Sequence, residues 1–156
     1  MKMRVLITRP GEDGEALAKL LQVHGIETAI EPLLNINHFD GPLLSFDNIQ
    51  AILVTSANGV RALARRTSRR DIPIYAVGDA TASTAKEAEF FQIHSADGNL
   101  DDLIELVKDM LIPKDGALLH IAGSSVAGNL IGSIRNIGVK CTREVLYEAI
   151  AERSLT

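Results

Sequence analysis

The chain has a single cysteine, Cys141, in 156 residues. One thiol cannot form an intrachain disulfide, and a reducing cytoplasm is the compartment this points to. The thiol is expected to be inert, because no lysine, histidine or second cysteine is patterned around its strand-like run to favour the thiolate. Positive charge is also short, with 16 Lys and Arg against 20 Asp and Glu, a net charge of −4 and a pI near 5.5. Neither nucleic acid nor an anionic membrane would meet a basic field, so neither is expected as a partner, and any bound anion must be held by local groups. No stretch approaches the ~20 apolar residues of a bilayer span. The opening MKMRVLITRP has too short an apolar core for a signal peptide, and export is not expected.

Several chemical signatures are missing too. There is no G-x-x-x-x-G-K-[ST], and no G-x-G-x-x-G follows a strand; GSSVAG at 123–128 has neither the spacing nor the later ribose-binding acid. The same stretch is not a G-x-S-x-G nucleophile elbow, and no histidine is patterned to serve Ser124 or Ser125 as a base. A receiver-type phosphoacceptor would need an acidic pair after the first strand and an aspartate at a later strand tip; only Asp79 stands at such a tip, and Glu12 and Asp13 already lie in a helix start. His24, His38, His94 and His120 stand singly, without an i, i+4 partner or cysteine spacing, so no metal site is expected and each reads as structural or solvent-facing.

What is present is 46% hydrophobic residues, enough for one core of ordinary size. Short apolar runs alternate with amphipathic stretches, the pattern of an α/β fold with a parallel sheet and crossover helices. The runs place strands at 4–8, 26–33, 50–55, 73–77, 91–95, 117–122 and 139–147. A helix over 12–24 would put Ala16, Leu17, Leu20 and Leu21 on one stripe and close at Gly25. Another over 100–111 buries Leu103, Ile104 and Val107, carries Asp101 and Asp102 where the helix dipole favours negative charge, and takes Asn99 as cap. A third over 124–137 aligns Val126, Leu130, Ile131, Ile134 and Ile137 and closes at Gly138. Turn residues and lost periodicity over 35–48 mark a joint between units.

Residues 4–34 laid over 117–147 at a constant offset match at Leu6 and Leu119, Leu17 and Leu130, Leu21 and Ile134, Gly25 and Gly138, Glu31 and Glu144, and Leu33 and Leu146. Duplication is one account; the other is that any two strand–helix–Gly–strand units share these periods. If duplication holds, the chain contains one complete domain and the opening of its twin. A lone βαβ unit cannot bury both faces of its sheet. The expectation is therefore a natural protein that continues for about another 100 residues, or a second copy of the chain covering the bare face.

Ligands of open parallel sheets gather at the carboxyl ends of the strands, where each loop leads into a helix with unpaired amides. Four such loops share a composition of small residues and hydroxyls: TRPGEDG (8–14), TSANG (55–59), VGDATAS (77–83) and IAGSSVAG (121–128). Ser56, Ala57 and Asn58 read as a socket for a carboxylate or phosphate. The plain alternative is that Ser56 or Asn58 only caps its own helix.

RVLITRP, ILVTSANGVRAL, IYAVGDATASTAKEA, LLHIAGS and VLYEA, in this order and at these intervals, resemble the uroporphyrinogen-III synthase family across the whole chain. The resemblance implies two similar flavodoxin-like α/β domains joined by a two-stranded ladder. Residues 1–34 would then form the opening βαβ unit of domain one, 35–147 a complete second domain, and 148–156 the return crossing. It implies cyclisation of the linear tetrapyrrole hydroxymethylbilane to uroporphyrinogen III, with loss of water and inversion of ring D, in haem biosynthesis, a lyase reaction using no metal or organic cofactor. The substrate carries many carboxylates, which suits amide sockets at strand tips. The contribution asked of the enzyme is largely positional, with a polar cleft steadying the azafulvene cation left when the hydroxyl departs.

Carried over residue by residue, Tyr147 in VLYEA is the family's cleft tyrosine, a catalytic candidate to hydrogen-bond the departing hydroxyl, with packing as its rival role. Ser56 and Thr81 fall on polar cleft positions. Arg9 would pair a substrate carboxylate or else form a hinge salt bridge. Ser124 and Ser125 follow by loop type. Glu89 departs from the pattern, because the family usually has glycine there, so that turn must be made differently. The length also departs from the family's, so this chain by itself is expected to bind product weakly and not to be a competent synthase. The full-length protein is expected to be a monomer, with a dimer of this chain as the alternative for the shorter form. A non-catalytic flavodoxin-like anion-binding module is the second reading.

Overall fold

The computed structural model describes residues 2–126 and 128–153. The last part of the expected return segment 148–156 lies outside the described residues. In chain order the elements are β1 (Arg4–Ile7), α1 (Gly11–Val23), β2 (Glu27–Ile30), β3 (Leu34–His38), β4 (Ile49–Val54), α2 (Ala57–Arg66), β5 (Ile74–Ala76), α3 (Asp79–Glu87), β6 (Ile93–Ser95), α4 (Leu100–Met110), β7 (Ala117–Gly123), α5 (Leu130–Asn136) and β8 (Cys141–Ala151). They fall into two compact units. One runs from the N-terminus to Asn37 and resumes at Glu148; the other is His38–Tyr147.

The first unit is a small βαβ arrangement. β1 and β2 pair in parallel from Arg4 opposite Glu27 to Ile7 opposite Ile30. Gly14 sets how closely α1 sits on them, since a Cβ there would lie 3.1 Å from Arg9 O and 3.3 Å from Ile30 Cγ2. Gly14 and Ala18 are the buried positions and Leu17 and Leu21 of the expected stripe are half-buried on the same face, whereas Ala16 is exposed and Leu20 is 65% exposed. Leu33 O accepts from Glu152 N at 2.8 Å, and Asn37 Nδ2 donates to Glu148 Oε1 at 3.1 Å, tying the two stretches of this unit together.

The second unit is a doubly covered parallel sheet in the order β8-β7-β4-β5-β6. Side chains alternate across a strand, so a strand covered on both faces must be apolar throughout. Ile52 and Val54 of β4 enter a core with Val60, Leu63, Ala85 and Phe90 from α2, α3 and the turn after it. Ala51 and Leu53 enter a core with Leu103, Val107, Leu130 and Ile134 from α4 and α5. The apolar runs legible in the sequence are these strands. α4 has the expected start, with a reciprocal cap: Asn99 Oδ1 accepts from Asp102 N at 3.1 Å while Asp102 Oδ2 accepts from Asn99 N at 2.9 Å.

The boundaries differ from expectation in three places. The joint at 35–48 contains a strand, β3, and the loop after it is held by Arg66, which donates to Pro42 O and Phe39 O. The helix expected over 124–137 begins only at Leu130, because Gly128 takes a left-handed φ of +74° and Asn129 caps the helix by accepting from Gly132 N at 3.1 Å. β8 continues past 147 to Ala151, so Tyr147 lies inside a strand instead of at its end.

Helices α1, α3 and α5 end in the same hydrogen-bond pattern. Ile26 N donates to Leu21 O, Phe90 N to Ala85 O and Val139 N to Ile134 O, each one residue beyond a residue with φ between +70° and +87°. In α1 and α5 that residue is Gly25 or Gly138; in α3 it is Glu89, so the turn expected to be made differently for want of glycine is made with the same left-handed φ. The motif recurs in α3, outside the internal echo, so helix-end chemistry alone accounts for the paired glycines. A side chain in the left-handed region costs roughly 1–2 kcal/mol, partly offset by its lower unfolded-state entropy. Glu89→Gly is expected to stabilise the protein by about 0.5–1 kcal/mol, read as a higher urea midpoint at unchanged m-value.

Candidate functional site

The carboxyl end of β4 runs into Thr55 and Ser56, and Ser56 adopts an extended conformation before the first turn of α2. Its Oγ accepts from Gly59 N at 3.1 Å, which makes it the N-cap. The same Oγ lies 2.9 Å from the Tyr147 hydroxyl. The capping and site readings of Ser56 therefore hold together. The amides of Ala57 and Asn58 open α2, where no intrahelical acceptor exists.

Tyr147 is brought to Ser56 by an irregularity in the sheet. Ala122 of β7 pairs with Val145 of β8, but the next residue, Gly123, pairs with Tyr147, so Leu146 is an extra residue in the ladder. With the alternation broken, consecutive Leu146 and Tyr147 both pack on the same core. The Tyr147 ring lies directly over Gly123, where an added Cβ would be 2.7 Å from Cε2 and 2.8 Å from Cζ. Ser124 N closes the arrangement by donating to Tyr147 O at 2.9 Å.

These residues line a cavity of about 380 Å³ at the carboxyl ends of β4, β5 and β7, wholly inside the second unit. Asn99 and Leu100 at the start of α4 form one wall, Ser125 and Val126 another, and His120 of β7 also lines it. His120 is 1% exposed, its Nδ1 accepts from Arg143 Nε at 3.4 Å, and its Nε2 has no hydrogen-bond partner among the described residues. Burial, reinforced by the Arg143 charge, pushes its pKa down to about 4, so the ring is neutral at physiological pH. Cys141 is buried, and desolvation pushes its thiol up to about 11, which keeps it inert. Among the described residues no group of His, Cys, Asp and Glu could hold a metal ion, and no helix is long and apolar enough to cross a membrane.

Of the residues singled out in the sequence, Ser56, Ser125 and Tyr147 meet at this cavity. Ala57 and Asn58 lie in the adjoining first turn of α2, with Asn58 Oδ1 accepting from Arg61 Nη1 at 3.2 Å. Ser124 is exposed and contributes its amide to Tyr147. Thr81 is buried in the first turn of α3, outside the cavity lining. Arg9 is exposed and belongs to the first unit. His120 and Asn99 were missed as cavity residues. His120 carried a readable signal: in ALLHIAG it interrupts an apolar run of a doubly covered strand, which forces burial of a polar ring.

The close approach at Gly123 is testable. Gly123→Ala is expected to displace the Tyr147 ring and cost roughly 1–3 kcal/mol through overpacking. The same substitution made in a Tyr147→Ala background should cost markedly less, and denaturation of the four proteins of this cycle checks it.

A family model described as uroporphyrinogen-III synthase HemD matches residues 15–155. Among curated proteins none matches the chain. Similar solved structures include the uroporphyrinogen-III synthetase of Helicobacter pylori, at TM-score 0.65 and 16% identity over 99% of this chain and 64% of that one. A mutant uroporphyrinogen III synthase of Thermus thermophilus aligns at TM-score 0.58 and 17% identity over 96% and 64%, and the wild type at 0.53 and 16% over 96% and 63%. The chain thus spans about 64% of the length of its solved relatives. At these identities the structural likeness establishes the fold alone, whereas the family model covers most of the chain: this chain belongs to the uroporphyrinogen-III synthase family.

Proposed function

We propose that this chain serves the ring closure of hydroxymethylbilane to uroporphyrinogen III, a lyase reaction, and that its cavity seats one pyrrole ring of the tetrapyrrole. The observation that carries the reading is the hydroxyl pair of Ser56 and Tyr147, 2.9 Å apart at the cavity wall. The two groups hold two hydroxyl protons and need one to bridge them. With Gly59 N already donating to Ser56 Oγ, one O–H is left to offer a ligand. Tyr147 is the proposed catalytic residue. As the carbon–oxygen bond of the hydroxymethyl group breaks, this O–H supports the departing hydroxyl, which leaves with a proton as water. The C–C bond that closes the macrocycle then forms at the carbon it vacated, and the attacking pyrrole carbon gives up a proton that balances the one carried off in the water.

The remaining walls suit the rest of a pyrrole. Leu100, Val126 and Leu130 give the ring apolar contact, Ser125 gives its acidic arms a neutral donor, and the first amides of α2 adjoin the cavity beyond Ser56. A volume of about 380 Å³ is near the lower end of the roughly 300–1,000 Å³ typical of small-molecule pockets, enough for one ring with its arms and not for four. Substrate contacts by Arg9 and Thr81 are not part of the proposal.

Because the chain spans about 64% of its solved relatives, recognition is the property to test on it first. Uroporphyrinogen III is expected to raise the thermal unfolding midpoint in proportion to its occupancy, by about 2.7 kcal/mol of stabilisation at a hundredfold excess over Kd. Inorganic phosphate and ATP should leave the midpoint unchanged, and Tyr147→Phe should shrink the shift. Protection by phosphate or ATP with none by uroporphyrinogen III would overturn the reading in favour of an anion-binding module.

A further inference from the structure

Ser56 joins the start of α2 to the phenol of Tyr147. Its Oγ accepts at 3.1 Å from Gly59 N, an opening amide with no intrahelical acceptor, and lies 2.9 Å from Tyr147 Oη. Both side chains are half-buried and line the cavity. The hydrogen bond between the two hydroxyls can run in either sense. If Tyr147 donates, the serine O–H is the one left for a ligand; if Ser56 donates, it is the phenol O–H. An oxygen that has accepted one hydrogen bond is polarised into a better donor and a poorer second acceptor, because bonds in a chain strengthen one another. Ser56 Oγ has already accepted, and from the end of a helix where the dipole is positive, so α2 biases it to donate. Tyr147 Oη receives no hydrogen bond from any other described residue, and the ring held over Gly123 keeps it within reach.

We infer that the bond runs from Ser56 to Tyr147 and forms one directed chain: Gly59 N–H to Ser56 Oγ, Ser56 O–H to Tyr147 Oη, and Tyr147 O–H to the hydroxymethyl oxygen of the seated pyrrole. Ser56 is a positioning residue in this chain, turning the phenol O–H towards the cavity and strengthening it as a donor. The inference rests on the pyrrole reading above and adds to it which O–H meets the ligand and what aims it. The first turn of α2 thereby acts on the reacting oxygen through two hydroxyls, without a charged side chain. All three links are hydrogen bonds, and no proton changes owner on binding.

The test titrates two monopyrroles by calorimetry, both bearing acetate and propionate arms, one with a hydroxymethyl group and the other with a methyl group at the same carbon. Their affinity ratio reads the hydrogen bond to the hydroxyl and cancels any loss common to both. The wild type is expected to favour the hydroxymethylpyrrole by roughly tenfold. Tyr147→Phe should abolish that preference. Ser56→Gly, which leaves a residue tolerated at the cap and removes the hydroxyl, should cut it to about threefold. Ser56→Thr, which keeps the cap oxygen and the O–H, should restore it. Because Ser56 acts through Tyr147, adding Ser56→Gly to Tyr147→Phe should change the ratio no further. A preference that survives Tyr147→Phe and falls with Ser56→Gly puts the ligand-facing O–H on the serine and overturns the inference. A preference indifferent to Ser56→Gly, or equal binding of the two pyrroles by the wild type, overturns it as well. In each of these cases the seat for a pyrrole stands, whereas failure of the wild type to bind either compound overturns both.

Discussion

Tyr147 reaches Ser56 because β8 carries one residue more than β7 at that point in the ladder. In a regular strand Leu146 and Tyr147 would face opposite sides of the sheet, and filling the core with one would turn the other away. The extra residue lets both meet the same core. The remaining requirement is room, which Gly123 supplies by having no side chain under the ring. The hydroxyl pair, the shape of the cavity and the Ser124 amide on Tyr147 O all follow from that one shift of register.

The same constraint explains where polar chemistry can sit in the second unit. The strands β4, β5 and β7 are buried on both faces, so their central positions are taken by Ile52, Leu53, Ile74, Leu118 and Ile121. Polar groups are pushed to the carboxyl ends, where helices begin and their first amides lack partners. Ser56 serves two purposes there, since the oxygen that caps α2 also meets Tyr147. His120 is the departure from this division. A polar ring inside a doubly covered strand is costly, and Arg143 satisfies only one of its nitrogens.

Much of this architecture was legible from hydrophobic pattern, because a doubly covered strand leaves a continuous apolar run and an amphipathic helix a stripe. The strands of the second unit and the cap at Asn99 were readable in that way. β3 was not, since the asparagines of LNINH are turn residues by propensity and their place in a strand is decided by pairing. The stripe of α1 is only half legible: Leu17 and Leu21 do face the sheet, but the packed face is centred on Gly14 and Ala18, since close approach of backbone is what glycine permits. The start of α5 was misplaced because Val126 fits the helical spacing while Gly128 breaks it. At the site, Ser56 was legible from its strand-tip loop and Tyr147 from family resemblance. The bulge that unites them was not, because register depends on two strands and the sequence presents them 18 or more residues apart only as separate runs.

For a chain with net charge −4, the recognition of an acidic pyrrole proposed above cannot depend on a general positive field. The side-chain donors that line the cavity are uncharged: the hydroxyls of Thr55, Ser56, Ser125 and Tyr147 and the amide of Asn99. A fixed positive charge would draw any anion from a distance, phosphate and nucleotides included. Neutral donors act only at contact, so they favour an anion whose oxygens coincide with their positions and give little to one that merely carries charge. The cost is weaker long-range attraction; the return is discrimination by shape. For the ring closure proposed above, whose difficulty lies in which end of a ring is presented, recognition by position is the property that matters, and the bulge beneath Tyr147 is the feature that holds its hydroxyl in place.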